Sequence, residues 1–283
     1  MKFILILALA LTISGLAVGC GGSDDHSSTR ETVAASFYPL AFAAEQVGGE
    51  AVSVENLTPP GAEPHDLEVS PSDVSKIKSA DLVLLLGHGF QPQLEDAAGS
   101  GPDVVALLDT RALDLRPDGD PHVWLDPIRY MKIVDRLGVV LRRPAAASRL
   151  LARLRKLDKD FRLGLANCAR RDIVTSHEAF AYLAERYGLD QIAVTGLNPE
   201  AEPTPQALHQ TVDVVRASDA TTVYFERLVS PRLAETVARE TGTKKAVLDP
   251  IEGLTDTERK QGTDYFTLMR ANLHALQTGL GCR

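Results

Sequence analysis

The sequence predicts an α/β protein of two lobes, each built on a parallel sheet, joined by one long rigid linker helix. Strand-like and helix-like segments alternate along both halves of the chain, as in parallel βα units. Several strand-like runs are apolar throughout, which is typical of strands buried on both faces. One helical stretch of about 22 residues interrupts this alternation.

The first lobe is predicted from four strand-like runs that alternate with helical segments. The run "SPSDVSKIKSA" (70–80) has a proline in its first turn and a serine cap, at either Ser70 or Ser72. The strand-like runs are "TVAAS" (32–36), "AVSVENL" (51–57), "DLVLLLG" (81–87) and "DVVALLD" (103–109).

The linker helix is predicted to begin at Pro144. Five apolar side chains spaced four, three, four and four residues apart form one face of this helix, which would be about 33 Å long. They are Leu150, Leu154, Leu157, Phe161 and Leu165.

A second set of strand-like runs predicts the second lobe. These runs are "DIVTS" (172–176), "QIAVTGL" (191–197), "TTVYFE" (221–226) and "KKAVLD" (244–249). Together with the amino-terminal segment they divide the chain into 1–19, a signal peptide; 20–30, a lipidated flexible tether; 31–143, the N-terminal lobe; 144–168, the linker helix; and 169–283, the C-terminal lobe.

The amino-terminal segment predicts export and a lipid anchor. Lys2 precedes an apolar run that is too short to span a bilayer, as in a secretory signal. The following "LAVGC" resembles a bacterial lipobox, which implies cleavage before Cys20 and acylation of this cysteine. We therefore expect a protein anchored to the outer face of the cell membrane or in the periplasm, with "GGSDDHSSTR" (21–30) as its tether.

Charge and cysteine content restrict the possible partners and bonds. The net charge of −8, without a basic stripe, argues against a nucleic-acid partner. Two cysteines remain after Cys20, namely Cys168 and Cys282, and an oxidising compartment favours a disulfide between them. Two unpaired thiols are the alternative.

Four side chains in four separate loops are candidate metal ligands. His65 and His122 lie on proline-containing loops of the first lobe, whereas His177 and Asp249 follow strands of the second. Ligands bind beyond the carboxyl ends of parallel strands, so one site between the lobes can collect all four. Three imidazoles and one carboxylate suit tetrahedral Zn²⁺, with Mn²⁺ as the alternative ion.

The chain resembles the metal-binding solute-binding lipoproteins of ABC transporters, the cluster A-I family with its ZnuA-type zinc proteins. The motifs that carry this resemblance are "SFYPLAFAAEQVGG", "GAEPHDLEVSPSD", "DPHVWLDP", "VTSHEAFAYLAERYGL", "NPEAEPTP", "VYFERLVSP" and "LDPIEGL". The resemblance implies two α/β lobes and metal ligands at His65, His122, His177 and Asp249. It also implies a monomer that captures zinc and delivers it to an ABC permease and its ATPase for import.

Two sequence features bear on whether the bound metal is zinc, manganese or iron. Manganese-type members have a carboxylate where this chain has His177, so a third imidazole favours zinc over manganese or iron. The segment "LDLRPDGDP" (113–121) lacks the histidine-rich loop of many zinc-type members.

A metal-dependent surface adhesin is a further alternative. A zinc hydrolase is disfavoured, because Ala181 stands where the H-E-x-x-H motif beginning at His177 requires histidine, and we expect no enzymatic activity.

Overall fold

The structure, a computed structural model, describes residues 30–100, 103–111 and 113–283. These residues contain two four-stranded sheets in which every pairing is parallel. The predicted α/β architecture with two parallel sheets is thereby confirmed. The predicted signal peptide and the predicted lipidation site at Cys20 lie outside the described residues, as does the tether before Arg30.

The first sheet has the strand order β2-β1-β3-β4, so β1 is central. Its strands are β1 Glu31–Ala35, β2 Val52–Asn56, β3 Leu82–Leu85 and β4 Val104–Ala106. The associated helices are α1 Tyr38–Gly48, α2 Pro71–Ser79, α3 Pro92–Ala98 and α4 Pro127–Val140. The cap of α2 is Ser70, whose hydroxyl accepts the backbone N–H of Asp73 while the carboxylate of Asp73 accepts that of Ser70.

The second sheet repeats the arrangement of the first, with the order β6-β5-β7-β8. Its strands are β5 Asp172–Thr175, β6 Asp190–Ala193, β7 Thr222–Phe225 and β8 Lys244–Val247. The helices of this half are α6 Ala181–Tyr187, α7 Pro205–Ala217, α8 Arg232–Thr241, α9 Asp256–Lys260 and α10 Tyr265–Leu280.

Strand β6 ends at Ala193, four residues before the end that the sequence predicts. The backbone N–H groups of Val194 and Thr195 donate to the carbonyls of Thr175, the last residue of β5, and of Ser176, the residue after it. The N–H of Glu178 donates to the carbonyl of Gly196. This segment therefore holds the loop that carries His177 instead of extending the sheet.

Helix α5 spans Pro144–Gly164 and lies in sequence between the two sheets. The apolar face predicted for this helix is buried, and each of its five members is at most 2% exposed. These side chains belong to a core cluster that includes residues of α1, α4 and α10. Because α1 and α4 belong to the first half and α10 to the second, α5 packs against both halves.

A disulfide joins Cys168, just beyond α5, to Cys282, after α10. It ties two chain segments that are 114 positions apart. The same two residues form an isolated antiparallel bridge, so the backbone also pairs at this point. Among the described residues no helix combines the length and the apolar character needed to cross a membrane.

Candidate metal site

Four side chains converge between the two sheets, three of them buried and one half-buried, and each offers one potential ligand atom. These atoms lie within 4.8 Å of one another and belong to His65, His122, His177 and Glu252. The Oε1 atom of Glu252 is 3.2 Å from Nε2 of His65 and 3.2 Å from Nε2 of His122. It is 3.7 Å from Nε2 of His177, and the Nε2 atoms of His122 and His177 are 3.2 Å apart.

These four separations, 3.2–3.7 Å, are close to those of donors that share one zinc ion. With bonds of about 2.0–2.2 Å, neighbouring donors of a tetrahedral site lie about 3.3–3.6 Å apart. The side chains of His122, His177 and Glu252 are at most 1% exposed, and that of His65 is 9% exposed. Such a group of nitrogen and oxygen donors, closed from water, fits a bound divalent cation of the zinc type.

His122 is oriented by an aspartate two residues before it. The Nδ1–H group of His122 donates to Oδ1 of Asp120 at 2.7 Å, and the backbone N–H of His122 donates to the same oxygen at 2.9 Å. This contact directs Nε2 toward the site. The ring of Trp124 contacts the imidazole at a tilt of 52°, with its centroid 5.1 Å from that of His122. The sequence reasoning did not identify Asp120, although its position two residues before a candidate ligand is a signal for this role.

His177 has a similar arrangement in the second half of the chain. Its Nδ1–H group donates to Oε1 of Glu226 at 2.7 Å, and its carbonyl accepts the hydroxyl of Thr175 at 2.7 Å. Glu226 is the first residue after β7, and His177 is the second residue after β5. The carboxyl ends of two neighbouring strands thus supply the imidazole and the carboxylate that orients it. Sequence reasoning also missed Glu226, which stands at the end of a predicted strand.

The structure places Glu252 among the four converging side chains, whereas Asp249, the carboxylate predicted as a ligand, lies outside this group. Asp249 is buried, but its carboxylate pairs with the guanidinium of Arg227 and its Oδ1 accepts the backbone N–H of Ile251 at 2.8 Å. Ile251 has a φ of 60°, so the chain turns sharply there. The turn carries Glu252 into the site, while Asp249 stabilises the turn.

The two halves are connected at this turn. The indole Nε1–H of Trp124 donates to the carbonyl of Pro250 at 2.7 Å, and the hydroxyl of Tyr265 donates to the carbonyl of Trp124 at 2.6 Å. A second connection lies nearby: buried Asp126 accepts hydrogen bonds from the guanidinium of Arg186 at 2.8 and 2.9 Å. The hydrogen bond from Trp124 to Pro250 joins the loop that carries Glu252 to the segment that carries His122.

The charges at the site favour an ionised Glu252. Burial by itself would raise the pKa of Glu252, but its contacts with His122 and His65 outweigh burial and hold the pKa well below its usual range. Burial likewise lowers the pKa of His65. For His122, hydrogen bonds to Asp120 and Glu252 outweigh burial and raise the pKa to about 9. A metal that binds Nε2 of His122 at neutral pH must therefore displace a proton.

Comparisons with known proteins agree with a zinc-binding site. The family described as "Zinc-uptake complex component A periplasmic" matches residues 33–279. The chain is 32% identical to zinc-binding protein AdcA of Streptococcus pyogenes serotype M6, over 87% of this chain and 55% of AdcA. It is 30% identical to the high-affinity zinc uptake system protein ZnuA of Bacillus subtilis, over 94% of each chain.

A solved structure shows the same fold. The Zn(II)-bound ZnuA-like domain of Streptococcus pneumoniae AdcA aligns with a TM-score of 0.75 and 33% identity, over 89% of this chain and 99% of that domain. The chain spans about half the length of the AdcA proteins that it matches.

Proposed function

The chain belongs to the family of periplasmic A components of zinc-uptake complexes, and on this premise we propose that it captures Zn²⁺ outside the cytoplasm for import. The ion is held by His65, His122, His177 and Glu252. The observation that carries the proposal is the convergence of these four donor atoms within 4.8 Å. The family is a transport component without enzymatic activity, so the role is binding and delivery.

The site geometry supports capture over catalysis. Four protein donors complete a tetrahedral zinc shell, whereas catalytic zinc keeps one position open for water or substrate. His65 and His122 come from the first half of the chain, and His177 and Glu252 from the second. An ion bound to all four links the two halves, so its release requires loops or lobes to move apart.

The donor set also supports zinc over manganese. Three imidazole nitrogens and one carboxylate oxygen suit zinc, whereas manganese prefers oxygen ligands. His177 is the residue on which this preference depends, and Glu226 fixes its orientation by accepting from Nδ1–H.

The delivery step requires partners outside this chain. We propose that the bound ion passes to the permease of an ABC transporter driven by its ATPase, and that a lipid on Cys20 keeps the protein at the membrane surface. The lipobox-like "LAVGC" supports the lipid anchor, and the similarity to the high-affinity zinc uptake system protein ZnuA of Bacillus subtilis supports delivery for uptake. A monomer is sufficient, because all four donors come from one chain.

Native mass spectrometry of the purified protein with equimolar zinc and manganese tests the proposed function. We expect one zinc ion per chain, loss of that ion in His122→Ala, and unchanged binding in the matched control His209→Gln, since His209 is exposed on α7. In His177→Glu we expect a larger manganese fraction. A wild-type chain that retains no zinc, or a His122→Ala chain that retains it fully, would contradict the proposal.

A further inference from the structure

Positive charge is concentrated on helix α5 and on the short segments at its two ends. Residues 142–171, which we call the basic segment, contain ten lysines and arginines and two aspartates, a net charge of +8. The whole chain has a net charge of −8, so the other residues together carry −16. The chain is therefore acidic except for this one surface.

The cations of the basic segment face solvent. Eight of the ten side chains are exposed and the other two are half-buried. Helix residues three and four positions apart are neighbours, so the cations of α5 form two rows outside its buried apolar face. The rows are Arg149, Arg153 and Lys156, and Arg155, Lys159 and Arg162.

Neighbouring acidic groups neutralise only a part of this charge. Seven of the ten cations form no ion pair among the described residues. The pairs of the other three are Arg162–Asp158, Lys156–Asp160 and Arg153–Asp264. Of the helices packed against α5, α10 contains no acidic residue, α4 has three cations and one aspartate, and α1 has one glutamate.

Two exposed apolar side chains lie within or next to the basic segment. Leu163 on α5 is 65% exposed, and Val139, three residues before Arg142, is 66% exposed. These are the most exposed large apolar side chains among the described residues. Cations beside exposed apolar groups are typical of surfaces that lie on a membrane, where the cations meet anionic headgroups and the apolar groups enter the interface.

The ends of α5 lie away from the metal ligands. Helix α4 begins five residues after His122 and is about 21 Å long, so its far end, where α5 begins, is distant from the site. After α5 the chain enters β5 at Asp172, at the amino-terminal edge of the second sheet. Glu31 begins β1 at the amino-terminal edge of the first sheet, and the predicted tether from Cys20 joins the fold there.

We propose that the basic segment is a docking surface for the anionic lipid headgroups of the membrane that carries the protein. Its net charge of +8 complements an anionic surface, and a lipid on Cys20 brings the edge at Glu31 close to that surface. The charge of the surface is independent of the proposed function, whereas its meeting this membrane rests on the proposed lipid anchor.

This contact sets the orientation in which zinc is captured. With α5 on the membrane, the carboxyl ends of the strands and the four ligands are directed to the solution. Delivery to a permease then requires α5 to leave the headgroups and the protein to turn. A ten-residue tether with a root-mean-square reach of roughly 17 Å permits this movement.

Vesicle sedimentation tests the docking surface without the lipid anchor, in the full chain with Cys20→Ala. The readout is the affinity for vesicles of equal parts phosphatidylglycerol and phosphatidylcholine, divided by the affinity for phosphatidylcholine vesicles. The apolar run after Lys2 contributes equally to both affinities, so the ratio reports charge. We expect a ratio of at least about 100 at low salt, since each cation at an anionic surface strengthens binding about fivefold. At about 1 M salt, where the Debye length is about 3 Å, the two affinities should be nearly equal.

Substitutions on α5 locate the surface. Arg155→Gln/Lys159→Gln should lower the ratio at least about tenfold, and Arg155→Glu/Lys159→Glu should lower it further. The matched control Arg232→Glu/Lys260→Glu makes the same change in net charge at exposed residues of α8 and α9, and should lower the ratio less than about threefold. Circular dichroism establishes that the variants fold.

Three results would overturn the docking surface and leave zinc capture intact. They are equal affinity for the two kinds of vesicle, equal effects of the α5 and control substitutions, and binding to polyphosphate without binding to the anionic vesicles. Native mass spectrometry of the same samples with zinc tests the proposed function separately. A wild-type chain that retains no zinc would overturn that function whatever the vesicle ratio.

Discussion

Acidification should weaken zinc binding, because zinc must displace a proton from His122. Hydrogen bonds to Asp120 and Glu252 outweigh burial and raise the pKa of His122 to about 9. Below this pH the fraction of neutral His122 falls about tenfold per pH unit. At pH 7 the proton should therefore weaken apparent zinc affinity about 100-fold relative to the limit at high pH, or by about 3 kcal/mol.

Chelator competition between pH 6.5 and 10 measures this dependence. We expect the logarithm of the affinity to rise by about one per pH unit and to level off near pH 9. Zinc added to a weakly buffered solution at pH 7.5 should release about one proton from His122.

Two variants distinguish this cause from a general pH effect. Asp120→Asn removes a charged partner of Nδ1 of His122, so the affinity should level off at a lower pH. The exposed control His209→Gln should follow the wild-type curve. The reasoning would be refuted by a wild-type affinity that is constant from pH 7 to 9, or by an Asp120→Asn profile that does not move.

Three further perturbations test the site and the fold. Glu252→Gln should weaken zinc binding by at least about 100-fold in chelator competition, whereas Asp249→Asn should weaken it less than about tenfold, and the reverse order would identify Asp249 as the ligand. Reduction of the Cys168–Cys282 disulfide, which spans 114 positions, should lower the unfolding free energy by about 5 kcal/mol in urea titrations, and an unchanged midpoint would contradict this. Leu154→Ala in the core should lower the unfolding free energy by about 2–5 kcal/mol in the same assay. Leu163→Ala, at a position that is 65% exposed, should lower it by less than about 0.5 kcal/mol. Equal losses in the two variants would argue against the packing of α5.

The order of strands and helices could be predicted because hydrophobic patterns are local. An apolar run such as "DLVLLLG" indicates a buried strand, and β3 at Leu82–Leu85 lies within it. The strand ends could not be predicted as well, since they depend on contacts from distant segments. Strand β6 ends at Ala193, and the backbone N–H of Thr195 then donates to the carbonyl of Ser176 in the loop after β5.

The fourth donor shows why a motif does not determine a ligand. Asp249 and Glu252 both lie in "LDPIEGL", and Asp249 is the one nearer the end of β8. In the structure the carboxylate of Asp249 forms an ion pair with Arg227, a residue from the loop after β7. The chain turns at Ile251, and this turn places Glu252 in the site. Neither the distant arginine nor the positive φ of an isoleucine can be inferred from the local sequence.

The measurement that most directly tests the shared metal site is anomalous diffraction at the zinc edge from crystals grown with one equivalent of zinc. We expect one strong peak per chain, about 2.0–2.2 Å from Nε2 of His65, His122 and His177 and from a carboxylate oxygen of Glu252. A peak at another location, or one coordinated by Asp249 in place of Glu252, would contradict this account of the site.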